Sequence, residues 1–131
     1  MIKELEENKK FSIVFIIIVA LEIFLVSSIP GSLTPSGFDL SVFYHFISFF
    51  LLNFFILIYV RDKERGIGKK LILVLAISLT YAVLDELHQF FVPLRTPDVM
   101  DFLVDSAGIF LSALVYRYYS KSKFFHKKTN Q

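Results

Sequence analysis

The chain alternates between long apolar segments and short polar ones. Four windows of about 20 residues are almost entirely apolar: residues 11–29, 42–60, 71–92 and 98–119. A bilayer core about 30 Å thick requires roughly 20 apolar residues of helix to cross it. The pattern therefore predicts an all-α integral membrane bundle of four transmembrane helices, in a single membrane domain that covers residues 1–131.

Turn residues and charges fill the segments between the predicted spans. A Pro-Gly pair follows the first span, and residues 61–70 form a charged loop between the second and the third. A proline ends the third span, and Thr96, Pro97 and Asp98 are typical of a helix start, with Thr96 as the N-cap. Spans three and four are therefore predicted to form a tight hairpin.

The basic residues predict the orientation of the spans. Of the fourteen Lys and Arg residues, thirteen flank the spans on the side of the two termini and the middle loop, and only Arg95 lies on the other side. Loops rich in Lys and Arg remain in the cytoplasm. We therefore expect both termini to be cytoplasmic, in a multi-pass protein of the cell membrane.

Composition agrees with a membrane protein and excludes thiol chemistry. Hydrophobic residues make up 55% of the chain, which contains 16 Phe, and the mean hydropathy is +0.61. A soluble domain of this size has too small an interior to bury so much apolar surface. The chain has no Cys. The basic C-terminal tail is typical of a flank that contacts anionic lipid, so we expect membrane lipids, and not nucleic acid, as partners.

Ionisable and polar residues inside the spans gather at the predicted non-cytoplasmic end. Acids at mid-membrane cost about 2.5–3.5 kcal/mol each, and they persist when they face partners or water. Helical spacing places most of the third-span and fourth-span members on two stripes, which the short turn brings to one depth. The set comprises Glu22 on the first span, His45 on the second, Asp85, Glu86, His88 and Gln89 on the third, Arg95 in the turn, and Asp98, Asp101 and Asp105 on the fourth.

This convergence favours a functional site. Asp85, Glu86 and His88 are candidates for acid–base catalysis, and Arg95 is the expected counter-ion of a carboxylate or of an anionic ligand. The other polar residues of the set are predicted binding residues: His45, Gln89, Asp98, Asp101, Asp105 and Glu22. A structural ion-pair network that fixes the hairpin is the alternative, and for His45 alone the structural role is favoured.

Other chemistries have weaker support in the sequence. No HExxH or paired-His pattern is present, so we predict neither a metal site nor a cofactor. No nucleophile elbow accompanies the histidine, so whether the protein is an enzyme stays open. Asn53 is predicted to form an interhelical hydrogen bond, and Gly108 a close helix contact.

The stretch YAVLDELHQFFVPLRTPDVMDFLVDSAGIFLSALVY, residues 81–116, resembles the VanZ-like membrane protein family. The matching positions are Asp85, Glu86, His88, Gln89, Arg95, Thr96, Asp98 and Asp101, and the HFISFFLL run from His45 resembles the family's second helix. The similarity covers about residues 11–119. Two features depart from the family pattern: Ser41 and Val42 replace an Asp-Lys pair, and Asp105 replaces an Asn.

The resemblance implies a multi-pass cell-envelope protein with a role related to glycopeptide antibiotic resistance. Our first hypothesis is that the outer-face pocket binds or modifies an envelope component, such as a lipid-linked or sugar-peptide group. The second is a non-enzymatic structural or partner-binding protein whose charges lock the bundle. The third is a small proton-coupled transporter that uses Glu22. The sequence does not predict an oligomeric state.

Overall fold

The computed structural model describes residues 8–33, 38–61 and 68–129, which are almost entirely helical and include no strand. Four of its helices are long and apolar enough to cross a membrane. The predicted all-α fold with four candidate spans is therefore confirmed. The helices are α1 (Lys9–Ser27), α2 (Phe38–Val60), α3 (Gly68–Gln89) and α4 (Val99–Thr129), with a 3₁₀ turn (Gly31–Leu33) after α1.

The third helix is displaced along the chain from the apolar window that predicts it. It runs from Gly68 to Gln89, whereas the window covers residues 71–92. The amides of Phe91 and Val92 donate to the carbonyls of His88 and Gln89, at 2.9 and 3.1 Å. These bonds span three residues instead of four, so the chain tightens into turns before Pro93.

The fourth helix starts at Val99, and its N-cap is Asp98. The Asp98 carboxylate accepts a hydrogen bond from the amide of Met100 at 2.8 Å, as an N-cap side chain does. The prediction of Thr96 as the cap is therefore wrong. The physical reason is a contact from α3, because the Asp98 amide donates to Glu86 Oε2 at 3.0 Å.

The outer surface of the described bundle is apolar, as a lipid-facing surface must be. Large side chains on every helix are exposed, among them Leu25, Ile72 and Leu114, each more than 60% exposed. The small interior contains Phe49, Leu57 and other buried apolar residues together with almost as many buried polar ones. The pattern is the reverse of a soluble bundle and agrees with the membrane assignment.

Helix α2 lies at the centre of the bundle and contacts each of the other three helices. Its closest approach is to α4 at Gly108, where any side chain would collide with the Phe46 carbonyl. Asn53 donates to the Ile109 carbonyl at 3.1 Å and to Ser112 Oγ at 2.6 Å. Its own oxygen accepts from Ser78 Oγ at 2.8 Å. Asn53 and Gly108 thus have the predicted interhelical roles.

The two ends of the bundle differ in charge. At one end, Lys9 Nζ lies 5.6 Å from the centre of the Tyr59 ring, and Lys70 Nζ donates to the Val60 carbonyl at 3.2 Å. We call this the basic end. The opposite end, where α1 and α3 finish and α4 begins, contains the predicted acid and histidine cluster, and we call it the polar end. Lys3, Lys63 and Arg65, which the charge count includes, lie outside the described residues.

Candidate functional site

The centre of the polar end is a buried pair between α2 and α4. His45 Nδ1 donates to Asp105 Oδ1 at 3.1 Å, and the two side chains are 2% and 0% exposed. The second carboxylate oxygen of Asp105 is also buried, and no hydrogen bond reaches it from the described residues. A buried anionic oxygen without a hydrogen-bond partner loses its hydration without a compensating interaction. A positively charged partner beside this oxygen would therefore stabilise the pair.

Asp85 of α3 lies beside this pair and is hydrogen-bonded to α1. One oxygen, Oδ2, accepts from Ser27 Oγ at 3.0 Å and from Gln89 Nε2 at 3.2 Å. Asp85 is 5% exposed, and it lies close enough to His45 and Asp105 for one ligand atom of each residue to fall within 4.8 Å of the others. Three helices therefore contribute to one buried group, which we call the His–Asp–Asp cluster.

The other two catalytic candidates on α3 have different neighbours. His88 Nε2 lies 2.9 Å from Ser28 Oγ, and the Ser28 hydroxyl donates to the Phe24 carbonyl at 2.7 Å, so the imidazole is the donor of the longer bond. Glu86 Oε2 accepts from the Asp98 amide, and Glu86 Oε1 has no hydrogen bond to the described residues. Asp85, Glu86 and His88 thus bond to different partners, and these hydrogen bonds do not join the three side chains into one group.

Arg95 does not pair with the described carboxylates of the polar end. His45 and Asp105 form an acid–base contact of ion-pair length there, whereas Arg95 Nη1 is buried without a hydrogen-bond partner among the described residues. The expectation that Arg95 holds a carboxylate is therefore wrong for the described acids. Leu94, which precedes it, has a φ of 59°, and this left-handed turn directs the chain away from the end of α3.

Arg95 instead lines a cleft between the turn after α3 and the polar-end parts of α1 and α2. The cleft has a volume of about 500 Å³. Its lining combines polar side chains from α2 and the turn, among them His45 of the His–Asp–Asp cluster, with apolar side chains from α1, α2 and the turn: Val26, Leu40, Ser41, Tyr44, His45, Leu94 and Arg95. A site that is part apolar and part polar is typical of pockets for amphiphilic ligands.

A second, almost wholly apolar groove runs between α1 and α2 beside the cleft. Its volume is about 450 Å³, and Glu22 is the one ionisable group of its lining apart from Tyr44. Leu40 and Tyr44 line both spaces. The Tyr44 hydroxyl donates to the Glu22 carbonyl at 3.4 Å. Glu22 is therefore separate from the His–Asp–Asp cluster and belongs to the groove.

The two remaining acids of α4 lie near its start. Asp98 is exposed and caps the helix, and Asp101 is half-buried one turn before Asp105. Sequence reasoning missed four polar contributors: Ser27 and Ser28, which bond Asp85 and His88, and Ser41 and Tyr44, which line the cleft. The Ser-Ser pair at the end of an otherwise apolar span was the available signal for the first two.

Comparison with known proteins agrees with the fold and the motif. A model of the VanZ/LLP1 family matches residues 4–120. No curated protein and no solved structure matches the chain significantly. Because the family match includes all four apolar helices and the whole polar end, the chain is a multi-pass membrane protein that belongs to the VanZ/LLP1 family.

Proposed function

We propose that the protein binds an anionic, lipid-linked component of the cell envelope at the polar end of its bundle. The observation that carries the proposal is the Arg95 guanidinium in the wall of the cleft, with its Nη1 atom buried and without a protein acceptor among the described residues. A buried N–H without an acceptor is costly. An anionic oxygen of a ligand is the group that guanidinium nitrogens bind best.

The apolar groove supports a ligand with a hydrocarbon chain. The groove shares Leu40 and Tyr44 with the cleft, so one molecule can place its anionic head beside Arg95 and its chain between α1 and α2. Exposed apolar residues on the same helices, such as Phe43 at 65% exposure, continue this surface toward the lipid. A polyprenyl phosphate has both required parts.

The distribution of basic residues supports an outer-leaflet ligand. In the sequence, thirteen of the fourteen Lys and Arg residues flank the span ends that belong to the basic end, which the positive-inside rule assigns to the cytoplasm. The polar end then faces outward, where lipid-linked envelope precursors carry their sugar-peptide groups. The family resemblance implies a role in glycopeptide resistance, and such a role would also act on the outer side of the membrane.

The affinity of the purified protein for a polyprenyl phosphate tests the proposal. We expect Arg95→Gln to weaken binding by roughly 10- to 100-fold, because a hydrogen bond to a charged group contributes about 1.5–3 kcal/mol. Arg117→Gln is the matched control, since Arg117 is exposed in the second half of α4, away from the polar end. A zwitterionic phosphatidylcholine should compete poorly. Equal affinities of Arg95→Gln and Arg117→Gln would contradict the proposal.

A structural role is the second candidate, and three hydrogen bonds favour it. Ser27 bonds Asp85, Ser28 bonds His88, and Glu86 bonds the amide of Asp98, so the end of α3 is tied to α1 and to α4. Under this hypothesis Asp85→Asn and His88→Gln lower stability and leave lipid affinity unchanged in the folded fraction. Under the binding hypothesis the lipid affinity depends on Arg95, whatever these two variants do to stability.

A further inference from the structure

The hydrogen bonds of the His–Asp–Asp cluster do not explain why one histidine and two acids are buried together in the interior of the bundle. His45, Asp85 and Asp105 come from three different helices and are 2%, 5% and 0% exposed. One imidazole and two carboxylates are ligands that divalent transition metals accept. Charged residues this deep in a membrane bundle are expected to have a function or a partner of opposite charge.

The separations within the cluster fit ligands of one ion. The His45 Nδ1 and Asp105 Oδ1 atoms are 3.1 Å apart. Two neighbouring ligands of an octahedral ion with bonds of about 2.1 Å lie about 3.0 Å apart, and opposite ligands about 4.2 Å apart. All three ligand atoms fall within 4.8 Å of one another. The three atoms are therefore close enough to bind one ion after a carboxylate shift of several tenths of an ångström.

A cation would also compensate the negative charge of the cluster. If the His45 imidazole is protonated, it neutralises one carboxylate, and the other carboxylate still carries an uncompensated negative charge. Asp105 Oδ2 is fully buried with no hydrogen bond from the described residues. Arg95 makes no ion pair with the described acids. Because two buried carboxylates within this distance repel each other, a divalent cation between them removes both costs.

Neighbouring side chains already orient one of the ligands. Ser27 Oγ and Gln89 Nε2 both donate to Oδ2 of Asp85, and no such bond from the described residues goes to its Oδ1. Carboxylates that bind metal are commonly held in this way, with a second oxygen or a partner fixed by hydrogen bonds. The arrangement leaves Asp85 Oδ1 for an ion.

We propose that His45, Asp85 and Asp105 bind a divalent transition-metal ion of the Zn²⁺ or Mn²⁺ type in the interior of the bundle. The imidazole ligand favours these ions over Ca²⁺. Three protein ligands leave positions for water or for a ligand group from the cleft, which His45 also lines. The site goes beyond the proposed lipid binding and does not depend on it.

Isothermal titration with Zn²⁺ and with Mn²⁺ tests the site. The protein carries no His tag, is stripped with EDTA and is transferred to chelator-free detergent buffer. We expect one ion per chain for the wild type. We expect Asp105→Asn, which keeps the side-chain shape, and His45→Gln to weaken binding at least tenfold, because even residues that only support a metal ligand contribute 10- to 100-fold. His88→Gln is the matched control, because His88 bonds Ser28 at the same end of the bundle.

Two results would overturn the proposal. One is a wild-type titration indistinguishable from the detergent blank, and the other is a folded Asp105→Asn protein that binds the ion as tightly as the wild type. If the variants do not fold, the unfolding midpoint of the wild type still tests the metal site. Saturating Zn²⁺ should raise its unfolding midpoint, since an ion that binds the folded state stabilises it, and the absence of a shift would overturn the site.

Discussion

At the scale of single residues, Asn53 uses both ends of its amide inside the bundle. Its nitrogen donates to α4 at two points and its oxygen accepts from α3, so one side chain joins three helices. In an apolar interior each of these groups has no water to bond when its partner is removed. The residue thus contributes to the stability of the bundle at some distance from the polar end.

Replacement of Asn53 by Ala should lower the free energy of unfolding by about 1–2 kcal/mol, because hydrogen bonds between membrane helices contribute roughly 0.6 kcal/mol each. Unfolding in mixed micelles by titration with SDS measures the change. Ser106→Ala is the control, since among the described residues Ser106 bonds the Phe102 carbonyl of its own helix and no other helix. An Asn53→Ala protein as stable as Ser106→Ala would show that these bonds do not hold the helices together.

Single residues also show what the sequence can predict. Asn53 and Gly108 were predictable, because an isolated amide or glycine within an apolar helix has few roles in a membrane. The position of Arg95 was not, since Leu94, which precedes it, adopts a left-handed conformation that is uncommon for a leucine. The His–Asp–Asp cluster was also missed as a unit, because its three residues come from three helices with no common spacing in the chain.

At the scale of helices, the start of α4 depends on the end of α3. The Asp98 side chain caps α4, and the Asp98 amide is held by Glu86. Apolar length predicted the existence of every span, since crossing a bilayer imposes that length. Helix ends were less predictable, because a contact across the turn selects Asp98 over Thr96, and both residue types are good caps.

Stability measurements on two alanine variants distinguish Asp98 from Thr96 as the N-cap of α4. Asp98→Ala should destabilise the protein by about 0.5–2 kcal/mol, the usual cost of losing an N-cap. Thr96→Ala should have an effect below about 0.5 kcal/mol, because Thr96 is exposed and outside the helix. The SDS unfolding midpoint of each variant provides the comparison. A larger loss for Thr96→Ala would restore Thr96 as the cap.

At the scale of the whole molecule, charge is separated along the bundle axis. The basic end contains Lys9 and Lys70, and the polar end contains the His–Asp–Asp cluster and the cleft. The apolar residues Leu57, Ile58 and Val74 fill the interior toward the basic end. The described interior thus has its buried acids and histidine at one end, which favours a binding site open to one side of the membrane.

The orientation of the bundle is open to a direct labelling experiment. The chain has no Cys, so a single introduced cysteine reports its own side. Thr96→Cys at the polar end should react with a membrane-impermeant maleimide in intact cells. Gly68→Cys at the basic end, where a side chain meets no atom within 4 Å, should react only after permeabilisation. The reverse pattern would contradict an outward-facing polar end.

The most direct measurement is the stability of Arg95→Gln determined on the same sample as its affinity for a polyprenyl phosphate. If Arg95 serves a ligand, the variant should unfold within about 0.5 kcal/mol of the wild type, since no described protein group loses a partner. Its affinity should fall at least tenfold. A loss of about 3 kcal/mol in stability, the cost of breaking a buried ion pair, together with unchanged lipid affinity, would contradict a binding site at the polar end.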